Sequence, residues 1–172
     1  MPGFTESSIT LQFPDANFFR FSTCTGYTTL SGNNFKEMDA CWYDSNSNLY
    51  WLIELKDFTS ATLSSHQNVE DRAWNLLKKA VDSLCMFLSG KHSYPYGISS
   101  LNPCFPATPD AATTFKFITV VHCNASQAAD IQLIHNSFRR KFKPYADLFG
   151  ITNYAVIEHS AAREIIPNNM VQ

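Results

Sequence analysis

The stretch Lys36-Glu37-Met38-Asp39-Ala40-Cys41-Trp42-Tyr43, Asp44-Ser45-Asn46-Ser47-Asn48, Leu49-Tyr50-Trp51-Leu52-Ile53-Glu54-Leu55-Lys56 decides the fold. Its two outer runs are apolar and aromatic and read as strands, while the five polar residues between them are turn-prone. The spacing therefore predicts an antiparallel hairpin that brings the Asp39 and Glu54 regions together. Successive side chains on a strand alternate faces, which puts Glu54 and Lys56 on one side. The Asp44–Asn48 segment imitates the opening of a calcium loop, but Leu49 replaces the glycine and Leu55 stands where the closing glutamate belongs, so it reads as a turn.

Glu54 is out of place by ordinary patterning. Trp51, Leu52, Ile53 and Leu55 surround it as in a strand buried on both faces, where an unpaired carboxylate is costly or driven to its neutral form. It therefore needs a cation. Lys56 supplies one, and a divalent metal shared with Asp39 would supply more charge, since Mg²⁺ accepts a few carboxylate oxygens together with carbonyl, water and phosphate oxygens. An acid on one strand and acid-x-lysine on the next is the layout of a metal-dependent phosphodiesterase.

At Asp39, Glu54 and Lys56 the chain resembles the PD-(D/E)XK nuclease superfamily. The family core runs helix, three-stranded meander, helix, strand, usually with a further helix and strand, and the sequence from about Phe35 to Glu158 follows that order. The resemblance implies an α/β restriction-endonuclease-like fold, a mixed sheet flanked by helices, here with extra N-terminal strands. It also implies a Mg²⁺- or Mn²⁺-dependent nuclease acting on DNA. Asp39 and Glu54 would hold the metal, the Leu55 carbonyl would offer a further oxygen, and Lys56 would orient or deprotonate water. The family's first helix often carries an accessory acid; Glu6 is the early candidate here. Gln67 or Arg72, near the start of the helix after the hairpin, would be the polar residues closest to assisting, although capping or solvation suits them better.

Outward from the hairpin, Ser8–Phe13 and Asn17–Phe21 read as short strands, and Gly26–Asn34 as turn. Asn68 with Asp71 three residues on predicts the cap of a helix whose Ala73, Leu77, Ala80, Leu84 and Leu88 recur at helical spacing as far as Gly90. Its Glu70, Lys78, Lys79 and Asp82 are expected on a solvated face. Gly90–Thr114 holds four of the eight prolines and reads as a long irregular connection. Its Tyr94, Tyr96 and Phe105 would pack onto the body or, in a homodimer, a second subunit, in preference to stacking on bases. Phe115–His122 reads as a central strand, Gln127–Phe149 as a helix with Ile131, Ile134, Phe138 and Phe142 on one face, and Asn153–Glu158 as a last strand. Asn124-Ala125-Ser126 matches a glycosylation signal but suits a helix start. Glu37, two residues from Asp39 on the same expected strand face, could be a second metal ligand or an outer-shell base, although an exposed edge charge near the turn is the preferred reading. Asp57, on the opposite face from Lys56, is expected to be a strand-end charge.

With 172 residues, 45% of them hydrophobic, the chain suits one domain spanning residues 1–172. A net charge of −2 gives no global attraction to nucleic acid, so DNA contact would need a local patch. Arg139, Arg140, Lys141 and Lys143 form the basic cluster of the sequence and could hold phosphates; the alternative is an ordinary cationic helix end. Cys24, Cys41, Cys85, Cys104 and Cys123 form no CxxC pair, arguing against both a zinc site and disulfides and for a reducing cytoplasm. Neither a signal segment nor a membrane span is expected. His66, His92, His122, His135 and His159 follow no metal-binding spacing, and GxSxG, GxGxxG and phosphate-loop motifs are absent. The rival to the nuclease is a catalytically inactive use of the same fold as a protein-binding module, an immunity or regulatory factor, with Glu54 and Lys56 a buried ion pair.

Overall fold

A computed structural model describes residues 2–61, 63 and 66–172. Five strands form a mixed sheet: β3 (Phe18–Phe19), β4 (Ala40–Asp44), β5 (Leu49–Asp57), β6 (Thr114–His122) and β7 (Asn153–Glu158), adjacent in that order. The first three are antiparallel neighbours, and β5–β6 and β6–β7 are parallel. A separate antiparallel hairpin pairs β1 (Gly3–Glu6) with β2 (Ile9–Gln12). The protein is thus α/β, with helices flanking the five-stranded sheet. The predicted hairpin forms as expected, with Ala40 opposite Ile53 and Asp44 opposite Leu49.

Alternation along β5 builds two cores. Tyr50 and Leu52 face the helices α2 (His66–Lys91) and α3 (Ala128–Phe149), with Phe87, Phe117, Phe138 and Phe142. Trp51, Ile53 and Leu55 face the other way, against Ile9 and Leu11 of β2 and Ala162 of α4 (His159–Ile165). Covering both faces permits the nearly continuous apolar run in β5. The helix α3 ends at Gly150, whose φ of 68° lies in the left-handed region and whose N–H donates to the Ala146 carbonyl.

Several expectations need correction. The turn-rich segment contains a helix, α1 (Thr25–Ser31), although threonine, glycine and serine are weak helix formers. Tertiary contacts hold it: Tyr27 is buried, and Tyr96 donates its hydroxyl to the Gly26 carbonyl at 2.6 Å. A Cβ at position 26 would lie 2.2 Å from the Ser100 carbonyl oxygen, so this approach requires glycine. The second expected N-terminal strand shrinks to Phe18–Phe19, and Gly3–Glu6 is a strand the pattern did not signal. α2 already begins at His66, which places Asn68 inside the helix instead of at its cap. α4 was also unsignalled.

The Gly90–Thr114 connection packs onto the body, as its aromatic content suggested. It contains a π-helical turn (Gly97–Leu101) and a 3-10 turn (Asn102–Cys104), and Phe105 stacks on Phe87 with ring centroids 4.6 Å apart. Cys104 is disulfide-bonded to Cys24, against the expectation of unpaired cysteines. The partners are 80 residues apart and meet because α1 packs on this connection; spacing along the chain carries no trace of that. The argument for a reducing compartment from unpaired cysteines falls with it. No helix among the described residues is long and apolar enough to cross a membrane.

Candidate active site

β4 starts one residue after Asp39, so Asp39 stands at the mouth of the β4–β5 ladder and not within it. Its Oδ2 accepts the Leu55 N–H at 2.7 Å, ending the ladder with a side chain in place of a backbone carbonyl. The segment is clamped on both sides. Ser83 Oγ of α2 accepts the Met38 N–H at 2.9 Å, and Arg20 Nε donates to the Asp39 carbonyl at 3.0 Å. Arg20 in turn pairs with Glu6 at 2.6 Å and lies over the Phe4 ring, so Glu6 reaches the Asp39 segment through Arg20, as a support for its backbone.

Glu54 is fully buried and Asp39 nearly so, at 8% exposure. Lys56 ion-pairs with Glu54 Oε1, as the strand alternation requires. The same oxygen takes Lys79 Nζ of α2 at 2.6 Å, and Lys79 also lies 3.2 Å from Asp39 Oδ1. Glu54 Oε2 has no hydrogen-bond partner among the described residues. Burial, reinforced by the Asp39 charge, pushes the Glu54 carboxyl up to about 7, and the two lysines pull against that rise. Burial alone would lower the Lys79 ammonium, but Glu54 and Asp39 outweigh it and hold the group above its ordinary value.

Lys79 overturns the expectation of a solvated residue. Lys79 and Ser83 are four apart, on one stripe of α2, and both reach the Asp39 segment. The aliphatic stem carries the ammonium from the edge of the helix's apolar face onto the sheet, a reach that periodicity does not register. Lys36, Lys56, Lys78 and Lys79, with Asn34 and Asn75, line an open cleft of about 450 Å³ at this site.

The remaining candidates fall elsewhere. The Leu55 carbonyl accepts the Ser7 hydroxyl at 3.1 Å. Glu37 is not on a strand; its carboxylate accepts the Tyr27 hydroxyl. Asp57 closes β5 and accepts from Ser8 and from Thr59, as a strand-end charge. Gln67 donates to Asp71, and the Arg72 guanidinium lies 4.4 Å from the Phe58 ring centre. Within the basic cluster, Lys141 and Arg140 pair with Glu70 at 2.6 and 3.1 Å, Lys143 pairs with Asp147 at 2.7 Å, and Arg139 lies over the Tyr154 ring. Glu70, expected to be solvated, is therefore a bridge from α2 to α3. A separate cavity of about 330 Å³ lies between α3 and β7 beside His135, whose Nδ1 sits 2.9 Å from the Val156 carbonyl oxygen and 3.2 Å from its nitrogen and is committed to the backbone. Among the described residues no group of three or more His, Cys, Asp or Glu side chains could hold a metal ion. Comparisons with protein-family models, curated proteins and solved structures find no match to this chain.

Proposed function

We propose that the chain is a Mg²⁺-dependent nuclease of the PD-(D/E)XK kind that hydrolyses DNA phosphodiester bonds at Asp39, Glu54 and Lys56. The observation that carries this reading is the shared contact of Asp39 and Glu54 with one ammonium, beside a buried Glu54 oxygen that has no hydrogen-bond partner among the described residues. Two acids sharing one ammonium, the buried one with its carboxyl pushed up by desolvation and by the other's charge, form a position that favours added positive charge. The element order is compatible with the family's: β3–β4–β5 is an antiparallel meander, α2 leads to β6, and α3 leads to β7. α1 departs from it by entering between β3 and β4.

The residues fit a hard cation with few protein ligands. Asp39 and Glu54 would hold it, Lys79 giving up Asp39 Oδ1 to the ion, and the Leu55 carbonyl would be a further oxygen only on releasing the Ser7 hydroxyl. So small a protein ligand set suits Mg²⁺ because that ion keeps several waters. When bound, Mg²⁺ polarises a phosphoryl oxygen and acidifies an attacking water. Lys56 and Lys79 keep the two acids from repelling one another, and each ammonium can meet charge that develops on phosphate. No nucleophile from the protein is required.

Isothermal titration of Mg²⁺ combined with plasmid nicking tests the assignment. Wild type should bind and nick; Asp39→Ala and Glu54→Ala should do neither while keeping wild-type circular dichroism. Lys56→Met should still bind metal but lose turnover by about 10²-fold or more, the scale of a positioned proton-transfer group. Full nicking by either acid variant removes the metal-ligand assignment. One observation favours the second reading, an inactive protein-binding module: Lys56 and Lys79 together already balance Asp39 and Glu54. Absence of both heat and nicking in wild type would select it.

A further inference from the structure

The cleft beside the acids collects four lysines from three separate parts of the chain: Lys36 after α1, Lys56 in β5, and Lys78 and Lys79 in α2. In a chain of net charge −2, this is a concentration of positive charge that the linear sequence does not display. Lys56 and Lys79 are taken up by Glu54 and Asp39 at its floor. Lys78 shares Asp82 at 2.8 Å, and the same Asp82 oxygen also accepts the backbone N–H of Lys36. The Lys36 ammonium itself has no acidic partner among the described residues and is exposed. Asn34 and Asn75 add amide groups along the same wall.

We propose that this cleft is the phosphate track for a nucleic-acid strand, with Lys36 and Lys78 holding backbone phosphates beside Lys56 and Lys79, the lining residues that pair with the buried Glu54 and Asp39. The inference rests on the nuclease reading, since that reading brings a phosphodiester to this wall. The α3 cluster is the weaker host. Its Arg140, Lys141 and Lys143 are already paired with Glu70 and Asp147, and a phosphate arriving there would have to displace a carboxylate. In the cleft Lys78 is likewise shared with Asp82, but Lys36 meets an arriving phosphate with no acidic partner among the described residues, and that unopposed charge is what favours the cleft.

Fluorescence anisotropy of labelled duplex and single-stranded oligonucleotides decides it, measured in Ca²⁺ across a salt series, with inorganic phosphate as a competitor. Lys36→Gln/Lys78→Gln should weaken binding and flatten the log K against log salt slope by about one unit per lost phosphate contact, while Arg139→Gln/Arg140→Gln leaves the slope at its wild-type value. Lys36 is exposed and Lys78 half-buried, and glutamine keeps most of each stem; circular dichroism verifies that the fold is intact. A wild-type slope in the lysine variant, or a flattened one in the arginine variant, overturns the track. Full displacement of the oligonucleotide by inorganic phosphate at equal concentration overturns it too, since that marks a site for a single anion. Nicking separates the two claims: wild type that nicks while the lysine variant binds unchanged sinks the track alone. A flattened slope without any nicking supports the track and sinks the nuclease. No binding and no nicking by wild type sinks both.

Discussion

Glu54 lies on the helix-facing side of β5 with no exposure to water, and its charge is balanced from two directions, along its own strand by Lys56 and across the interface by Lys79. Breaking a buried ion contact by removing one partner costs about 3–5 kcal/mol when the other stays charged, and partial exposure of Lys79 reduces that toward roughly 2 kcal/mol. Lys79→Met should therefore lower stability by about 2 kcal/mol near pH 8, read from urea unfolding, because Met keeps the stem and deletes only the charge. A loss below about 0.5 kcal/mol would mean the contact carries no weight in solution. The Asp39, Glu54 and Lys56 triplet was legible because strand alternation and a short turn fix where such residues lie. Lys79 was not, since helical spacing separates an apolar stripe from a polar one but does not say which long side chain at the border bends inward.

The two long helices are joined across their polar sides by Glu70, which takes Ser137, Arg140 and Lys141 together. Hydrogen bonding from Lys141 and Ser137, aided by the nearby positive charges, lowers the Glu70 carboxyl from its ordinary 4.5 to about 2. An acid whose folded value is depressed adds stability above its unfolded value and loses it as the pH falls toward the folded one. The stability gap between wild type and Glu70→Gln should thus be complete at about pH 6 and close between about pH 4.5 and 2, as followed by denaturant unfolding at several pH values. A gap that persists unchanged at the acid end would show that Glu70 contributes through packing and not through its charge. At this scale the sequence was most readable for α2, α3, β6 and β7, where nine or more residues of apolar pattern, or a bounded apolar run, state the element directly. α1 and α4, each of seven residues, are too short to declare themselves by periodicity, and contacts from distant parts of the chain decide them.

At the scale of the whole molecule, the disulfide Cys24–Cys104 is the single long-range covalent link among the described residues, and it holds the connection before β6 against the helix that precedes β4. A crosslink spanning 80 residues restrains the unfolded chain, which by loop-closure reasoning stabilises the fold by roughly 2–4 kcal/mol. Cys24→Ser/Cys104→Ser should lower the urea midpoint accordingly, and a reductant should do the same to wild type but nothing further to the variant. Equal midpoints for oxidised wild type and the variant would show that the bond does not bear on stability. The mixed sheet followed from the order of strand-like and helix-like segments, whereas the disulfide and the packing of the Gly90–Thr114 connection depend on which surfaces meet, and local pattern carries no record of that. The ring closed by this bond contains Asp39, Glu54, Lys56 and Lys79. A protease that cuts the exposed segment between His92 and Tyr94 consequently leaves a nicked molecule whose two pieces still travel as one band on a non-reducing gel. Reductant then releases a fragment bearing all four site residues from the fragment bearing β6, α3 and β7, turning the candidate site into one half of a split protein.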